Sequence, residues 1–219
     1  PPNMSVCEGD PQFLLTGATP AGGIYSGPGV VGINQFNPSA TGPGLYFITY
    51  TYTDQYGCSN SCVFSITVNP LPNVICPPDD TVCFSDNVVP LPAGMPAGGT
   101  YAGPGVVGGN GFIAAQAGVG THTLIYTWTD PVTGCSNSCP FIMTVLPAPV
   151  VICPPNISVC ENSQPFPLAG ATPAGGTYFD AAGNPVVNFN PAWGAGSYPI
   201  TYVYTDPQTG CTGQCTFII

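Results

Sequence analysis

Residues 50–62 read YTYTDQYGCSNSC, and the phrase recurs as YTWTDPVTGCSNSC at 126–139 and YVYTDPQTGCTGQC at 202–215. These recurrences align Cys58 with Cys135 and Cys211, and Cys62 with Cys139 and Cys215; upstream, Cys7, Cys83 and Cys160 fall into the same frame at a period of 76–77 residues. A fixed period of this length is the mark of a repeat architecture. Each copy opens with PPNMSVC, PPDDTVC or PPNISVC and continues through GATPAGGIY, AGMPAGGTY or GATPAGGTY. Within a copy Ile48, Tyr50 and Tyr52 alternate with Thr49, Thr51 and Thr53, and Ile200, Tyr202 and Tyr204 repeat the pattern. A period of two in β-branched and aromatic residues predicts half-buried strands. Ala21-Gly22-Gly23, Gly27-Pro28-Gly29 and Tyr56-Gly57 supply the turns, and no stretch carries helix caps. The expected architecture is therefore all-β: three tandem antiparallel sandwich modules, over 1–69, 73–145 and 150–219.

Between the copies lie Asn69-Pro70-Leu71-Pro72 and Leu146-Pro147-Ala148-Pro149. Alternating prolines fix φ and favour extended geometry, so the modules are expected to line up as an elongated rod about 100 Å long.

Gly (29) and Pro (28) are abundant, yet 44% of the chain is hydrophobic, with 11 Tyr and 11 Phe, enough to bury cores. Lys and Arg are absent, and ten acidic residues give a formal charge of −10. Nucleic-acid affinity comes largely from basic side chains displacing counterions, so nucleic acid is excluded as a partner. The same absence removes every trypsin-type cleavage site. No stretch has the basic start and apolar middle of a signal peptide, and no apolar run approaches the roughly 20 residues that span a bilayer. Membrane insertion of this segment is not expected, and targeting parts are expected to lie outside it.

A module of this size buries a small core and needs covalent help. The copies align four cysteines each, except that the first has three. In this frame the partner of Cys62 is expected to precede Pro1, because Pro77 and Pro154 follow Cys76 and Cys153 directly. The favoured scheme is nested, with two disulfides per module: Cys76 with Cys139, Cys83 with Cys135, Cys153 with Cys215, Cys160 with Cys211, and Cys7 with Cys58. Each bridge closes a loop of about 50–60 residues and contributes on the order of 4 kcal/mol in the chain-entropy model. The alternative is a four-thiolate zinc site per copy, although the Cys-x6-Cys and Cys-x3-Cys spacings are looser than those of zinc knuckles. Disulfides place the chain in an oxidising, extracellular setting.

The frame of Cys-Pro-Pro, a GTHT (120–123) or GSYPITY (196–202) strand, a Tyr-Thr-Asp step, a Gly-Cys turn and Cys-x-Phe resembles hyalin-type and related immunoglobulin-like repeats. It is most similar to the repeats of giant Bacteroidota surface adhesins, including gliding-motility adhesins exported by type IX secretion. The resemblance covers Pro1 to Ile219 and implies an immunoglobulin-like sandwich. It also implies pairing of Cys76 with Cys139 and Cys153 with Cys215. By this resemblance the expected function is a structural stalk of a secreted adhesin serving gliding or attachment, held at the cell surface and outer membrane by parts outside the segment. The alternatives are a self-assembling extracellular filament or surface layer, and an accessory module of a secreted hydrolase. Partners are expected among neighbouring repeats of the same chain, with other copies or a surface polysaccharide as further candidates. Two departures are notable: no Trp recurs between paired cysteines, since Tyr52 and Tyr204 stand where Trp128 does, and Asp180-Ala181-Ala182-Gly183-Asn184 replaces GPGVVG in copy three.

Asp54, Asp130 and Asp206 each end a strand, where a carboxylate caps the following turn. Calcium is the sharper reading, with Asp79, Asp80 and Asp86 as further oxygen ligands in copy two. Tyr50, Tyr52, Tyr126, Trp128, Tyr202 and Tyr204 read as core residues, with a sugar-stacking platform as the alternative. His122 is expected on an exposed strand position. With no Lys and no recurring carboxylate pair, catalysis has no candidate base, so no enzyme and no cofactor are expected. The Gly-rich loops at 26–29 and 102–105 lack the Lys and helix of a phosphate cradle. Asn3-Met4-Ser5 and Asn156-Ile157-Ser158 match the N-glycosylation sequon, and Asp80-Thr81-Val82 offers Thr81 as an O-linked acceptor.

Overall fold

Short alternating runs punctuated by Gly and Pro fold into strands and little else. The computed structural model describes the whole chain, Pro1–Ile219, and it is 43% strand and 5% helix. Copy one contains β1 (Met4–Cys7), β2 (Phe13–Leu14), β3 (Ile24–Ser26), β4 (Val30–Val31), β5 (Gln35–Phe36), β6 (Gly44–Thr53) and β7 (Ser59–Asn69). Copy two contains β8 (Asp80–Cys83), β9 (Val89–Pro90), β10 (Thr100–Ala102), β11 (Val106–Val107), β12 (Gly111–Phe112), β13 (Gly120–Thr129) and β14 (Ser136–Leu146). Copy three contains β15 (Phe166–Pro167), β16 (Thr177–Phe179), β17 (Asn188–Phe189), β18 (Pro199–Thr205) and β19 (Thr212–Ile218). Helix is confined to single turns at Pro38–Ala40, Ala114–Ala117 and Pro191–Trp193. None is long and apolar enough to cross a membrane.

The opening motif forms the long hairpin of each copy. In copy one β6 and β7 pair antiparallel from Gly44↔Val68 to Thr53↔Ser59. Their alternation buries Ile48 and Tyr50 on one strand and Phe64, Ile66 and Val68 on the other. The four-stranded sheet β1-β7-β6-β3 and the small sheet β2-β5-β4 close on one core, where Leu15, Tyr25 and Phe36 meet the hairpin residues. In copy three Phe189, Ile200, Phe217 and Ile219 make the corresponding core, with Phe166, Leu168, Tyr178 and Tyr198 packed against it. Buried side-chain polar atoms all have partners.

The first strand departs from the expected antiparallel arrangement. β1 runs parallel to β7, with Met4 opposite Ile66 and Cys7 opposite Asn69. β8 runs parallel to β14 in the same way, Asp80 opposite Met143 and Cys83 opposite Leu146.

That register overturns part of the disulfide scheme. The bonds are Cys7–Cys135, Cys76–Cys139, Cys83–Cys211 and Cys153–Cys215. Cys58, Cys62 and Cys160 are free and exposed. Cys7 sits at the Asn69 end of β7, whereas Cys58 precedes its Ser59 end. Ten strand steps, roughly 34 Å, separate those ends, against the 4.4–6.8 Å that a disulfide spans. The same geometry keeps Cys83 from Cys135, and Cys160 does not bond Cys211 either, because Cys211 is bonded to Cys83. The inner cysteines bond across copies instead, so copies two and three each contain one internal bridge, not two. The parallel register does align the outer pair: Asp80 opposes Met143 at the same offset, 63 residues, that separates Cys76 from Cys139.

Contacts divide the chain into two compact units. One comprises Pro1–Pro77, Ala93–Thr100 and Ile125–Cys139; the other comprises Pro78–Pro92, Tyr101–Leu124 and Pro140–Ile219. Each unit contains one bridge between copies and one within a copy.

Candidate functional site

The chemistry-bearing residues concentrate at the joints between copies. On the donor side, Cys7 ends β1 in a tight turn: its N–H donates to Asp10 Oδ2 at 2.8 Å, and the Asp10 N–H donates to the Cys7 carbonyl at 3.0 Å. Cys83 and Asp86 repeat both bonds at 2.8 and 3.0 Å. On the acceptor side, Cys135 and Cys211 close the turns that follow Asp130 and Asp206, each carbonyl accepting the aspartate N–H at 2.9 Å. The bonded pairs have Cα–Cα separations of 5.5 Å (Cys7–Cys135) and 5.4 Å (Cys83–Cys211), and Cys135 and Cys211 are fully buried. The linkers are docked against the following copy. Asn137 Nδ2 donates to the Pro72 carbonyl at 3.0 Å, and a Cβ on Gly213 would lie 2.3 Å from the Pro149 carbonyl oxygen. Ile75 pairs with Met95, and Ile152 with Thr172, through backbone bonds of 2.8 and 3.0 Å in each pair.

The aspartates cap turns. Asp54 Oδ1 accepts from the Tyr56 and Cys58 N–H groups at 2.9 Å each, and Asp206 Oδ1 from Gln208 N–H at 2.9 Å. Asp130 accepts the Val132 N–H and the Thr133 hydroxyl, both at 2.9 Å, and these bonds hold its carboxyl below the usual aspartate value. Asp180, not singled out from the sequence, does the same in the loop that replaces GPGVVG. Its carboxylate takes the Asn184 and Ala182 N–H groups at 2.8 and 2.9 Å and the Asn184 amide, which lowers its pKa. The calcium set does not assemble. Asp79 Oδ1 accepts Ile142 N–H at 2.7 Å, Asp80 Oδ1 accepts Thr81 N–H at 2.8 Å, and Asp86 serves its cysteine turn. No group of three or more His, Cys, Asp or Glu is gathered as for a metal ion, and the zinc alternative also lacks its four thiolates.

The sequon position has a structural role that the sequence did not reveal. Asn3 Oδ1 accepts Ser65 N–H at 2.9 Å and Asn156 Oδ1 accepts Ile218 N–H at 2.8 Å, as Asp79 does from Ile142. These side chains tie the start of each copy to its last strand; Asn3, Thr81 and Asn156 are exposed. His122 is half-buried, not fully exposed as expected: it occupies the place of Tyr46 and Tyr198, and its Nε2 lies 2.8 Å from the Gly118 carbonyl, as Tyr198 reaches Gly194 at 2.9 Å.

Of the aromatic stripe, Tyr50, Tyr126 and Tyr202 are buried, while Tyr52, Trp128 and Tyr204 are half-buried. The buried hydroxyls clasp the AGG turns. Tyr50 donates to the Pro20 carbonyl at 2.6 Å and accepts Gly23 N–H at 2.7 Å; Tyr202 does the same with Pro173 and Gly176, at 2.6 Å each. Tyr126 bonds Pro96 and Gly99 likewise. Hydroxyls so engaged are not presented to a sugar. The loop at Gly27-Pro28-Gly29 folds onto the core: Gly29 has φ +78°, and a Cβ there would lie 2.7 Å from Phe36.

No protein-family model and no curated protein matches the chain. Among solved structures, the chain is similar to a Ca2+-stabilized adhesin that helps an Antarctic bacterium bind ice (13% identity, TM-score 0.33), covering 84% of this chain and 58% of that one. It is also similar to mouse protocadherin-24 EC1-3 (12%, TM-score 0.28, 99% and 96% covered) and Drosophila N-cadherin EC1-4 (14%, TM-score 0.30, 100% and 72% covered). Scores this low carry no functional argument. The chain spans just over half the length of the ice-binding adhesin chain.

Proposed function

We propose that the chain is a shaft segment of a cell-surface adhesin: three tandem immunoglobulin-like modules, 1–69, 73–145 and 150–219, in an elongated extracellular array. The modules give reach and mechanical continuity, and they carry out no catalysis. The observation that supports this reading is the pair of disulfides, Cys7–Cys135 and Cys83–Cys211, that join successive copies. Such bonds let tension pass from copy to copy through covalent links while the sheets stay folded. The absence of Lys and Arg suits a protein exposed to extracellular proteases. Service in gliding or surface attachment, and anchorage to an outer membrane by other parts of the protein, follow from the repeat resemblance. Neighbouring repeats of the same chain are the partners this reading implies, with other copies or a surface polysaccharide as further candidates.

Stretching single oxidised molecules from end to end tests the reading. The oxidised chain should resist extension up to forces that break covalent bonds, and reductant should release most of its length. Unfolding at low force with the disulfides intact, lengthening by hundreds of ångströms, would exclude a force-bearing shaft.

A further inference from the structure

Copy three departs from the repeat at two places, and both border one cleft. Asp180-Ala181-Ala182-Gly183-Asn184 stands where the other copies have GPGVVG, and Trp193 stands where the corresponding turns have Ala40 and Gln116. Asp180, Ala181, Ala182 and Trp193 line, with Tyr198 and Pro199, a solvent-open cavity of about 280 Å³. Its lining is mostly apolar, and Asp180 is its one charged residue. A neighbouring copy does not cover this surface: Phe47 and Thr123, at the place of Pro199 in copies one and two, are exposed although a further copy follows each. The fold does not require either change, since copies one and two form the same hairpin without them. Two such changes meeting at one cavity point to a ligand.

Both parts of the cleft are held in place by the fold. Trp193 ends the single turn Pro191–Trp193, where Asn190 Oδ1 accepts the Ala192 N–H at 3.1 Å. Its ring is 47% exposed, yet it packs edge-to-face on buried Phe189 at 5.1 Å between centroids. It also lies 5.9 Å from the ring of Tyr198, whose hydroxyl is fixed on the Gly194 carbonyl at 2.9 Å. The Asp180 loop closes on itself: Asp180 N–H donates to the Asn184 carbonyl at 2.9 Å, and Asp180 Oδ1 takes the Ala182 and Asn184 N–H groups. Oδ2 takes only the Asn184 amide, at 3.1 Å, and keeps a lone pair for an outside donor. A preorganised aromatic and a preorganised acceptor lose little freedom on binding.

We infer that this cleft binds one neutral pyranose ring of a surface glycan, with a C–H face stacked on Trp193 and a ring hydroxyl donating to Asp180 Oδ2. The aromatic ring offers a broad apolar face with an electron-rich surface, which suits the C–H face of a sugar. A hydroxyl donating to an ionised carboxylate makes a charge-assisted bond. Charge decides that the ring is neutral: with no Lys or Arg and a net charge of −10, the chain has no side chain to pair with an acidic sugar. The cavity lies at the low end of the range for small-molecule sites, which suits a single ring. The inference rests on the shaft reading for a surface polysaccharide as partner, and the two fail separately: stretching tests the shaft, glycoside binding the site.

The test is an NMR titration of the isotope-labelled full chain with the methyl pyranosides of glucose, galactose, mannose and N-acetylglucosamine, and with tetramethylammonium chloride as a cationic control. At least one glycoside should shift the Trp193 indole N–H signal saturably and leave that of Trp128 in place. A Kd on the order of 1 mM is expected for a ligand of roughly a dozen heavy atoms. Trp193→Ala and Trp193→Gln put the residues of copies one and two into the turn, so the fold should survive. Binding, then read from the Ala182 and Asn184 amides, should weaken about tenfold or more in both. Asp180→Asn keeps an acceptor for the loop and should also weaken binding about tenfold. Peptide mapping of Cys83–Cys211 and Cys153–Cys215 in each variant checks that the fold is intact. Silence of all four glycosides, a response to tetramethylammonium alone, or glycoside binding that the Trp193 variants leave unchanged overturns the inference.

Discussion

Tyr202 shows what a single residue contributes: its ring fills the core while its hydroxyl donates to Pro173 and accepts from Gly176, both at 2.6 Å. Tyr202→Phe keeps the ring and orphans a carbonyl and an N–H, a loss of about 1–3 kcal/mol that chemical denaturation of the chain should register. Gly176→Ala should be worse, because the added Cβ would lie 2.3 Å from the Val203 carbonyl oxygen and 2.6 Å from the Tyr202 hydroxyl. If Gly176→Ala is as stable as wild type, the clasp is not rigid. Asp130 makes a separate prediction about pH. Its folded carboxyl titrates below the usual value because Val132 N–H and the Thr133 hydroxyl bind the ionised form. Its contribution to stability is therefore present above the unfolded pKa and is lost as pH falls through the lower folded value. Carboxyl-carbon NMR titration should find the midpoint below that of free aspartate, and Thr133→Val should move it upward.

At the level of elements, the parallel docking of the first strand on the last governs the cysteine chemistry. Offsets of 62 residues in copy one (Met4↔Ile66) and 63 in copy two (Asp80↔Met143) carry Cys76 onto Cys139 and put Cys83 at the far end of β14. The side chain at the sequon position secures this register. Asp79→Ala should expose the Ile142 N–H, now bonded at 2.7 Å, and speed its hydrogen exchange severalfold, whereas Asp79→Asn keeps an acceptor oxygen and should leave exchange slow. Equal exchange in both variants would mean that backbone pairing alone fixes the strand. The docked linkers belong to the same scale: the alternating prolines predicted short, extended spacers, and Asn137 and Gly213 seat the two linkers on the next hairpin.

For the molecule as a whole, the crossed bridges define a covalent shortcut. It runs from Pro1 to Cys7, across to Cys135, along to Cys139, across to Cys76, along to Cys83, across to Cys211 and on to Ile219. That route has about 25 peptide steps and three crossings, so an oxidised chain reaches at most about 100 Å, against about 750 Å when reduced. Neither proline linker lies on the route, so neither carries tension. The bridges are also unequal. Without Cys83–Cys211, a path through Cys135, Cys153 and Cys215 is only about three residues longer. Without Cys7–Cys135, the shortest path grows to about 90 residues, adding roughly 220 Å. Force spectroscopy of Cys83→Ser/Cys211→Ser and Cys7→Ser/Cys135→Ser chains should show this asymmetry; equal lengthening would mean a different pairing.

The sequence by itself determined the repeat, the strand alternation and the composition of the core. A period of two in Ile48, Tyr50 and Tyr52 admits few other folds, and the aspartate caps follow from local chemistry within four residues. It also carried the outer cysteine pairs, named by the nested reading and again by the family resemblance. What the tertiary structure alone decided was which inner cysteines meet. Spacing cannot distinguish a parallel from an antiparallel first strand, yet that choice moves Cys7 and Cys83 by the full length of a strand and turns bridges within copies into bridges between them. The calcium reading failed for a related reason: Asp79, Asp80 and Asp86 are close in sequence, but each carboxylate is directed to a different backbone N–H, and convergence on one point is a property of three-dimensional placement.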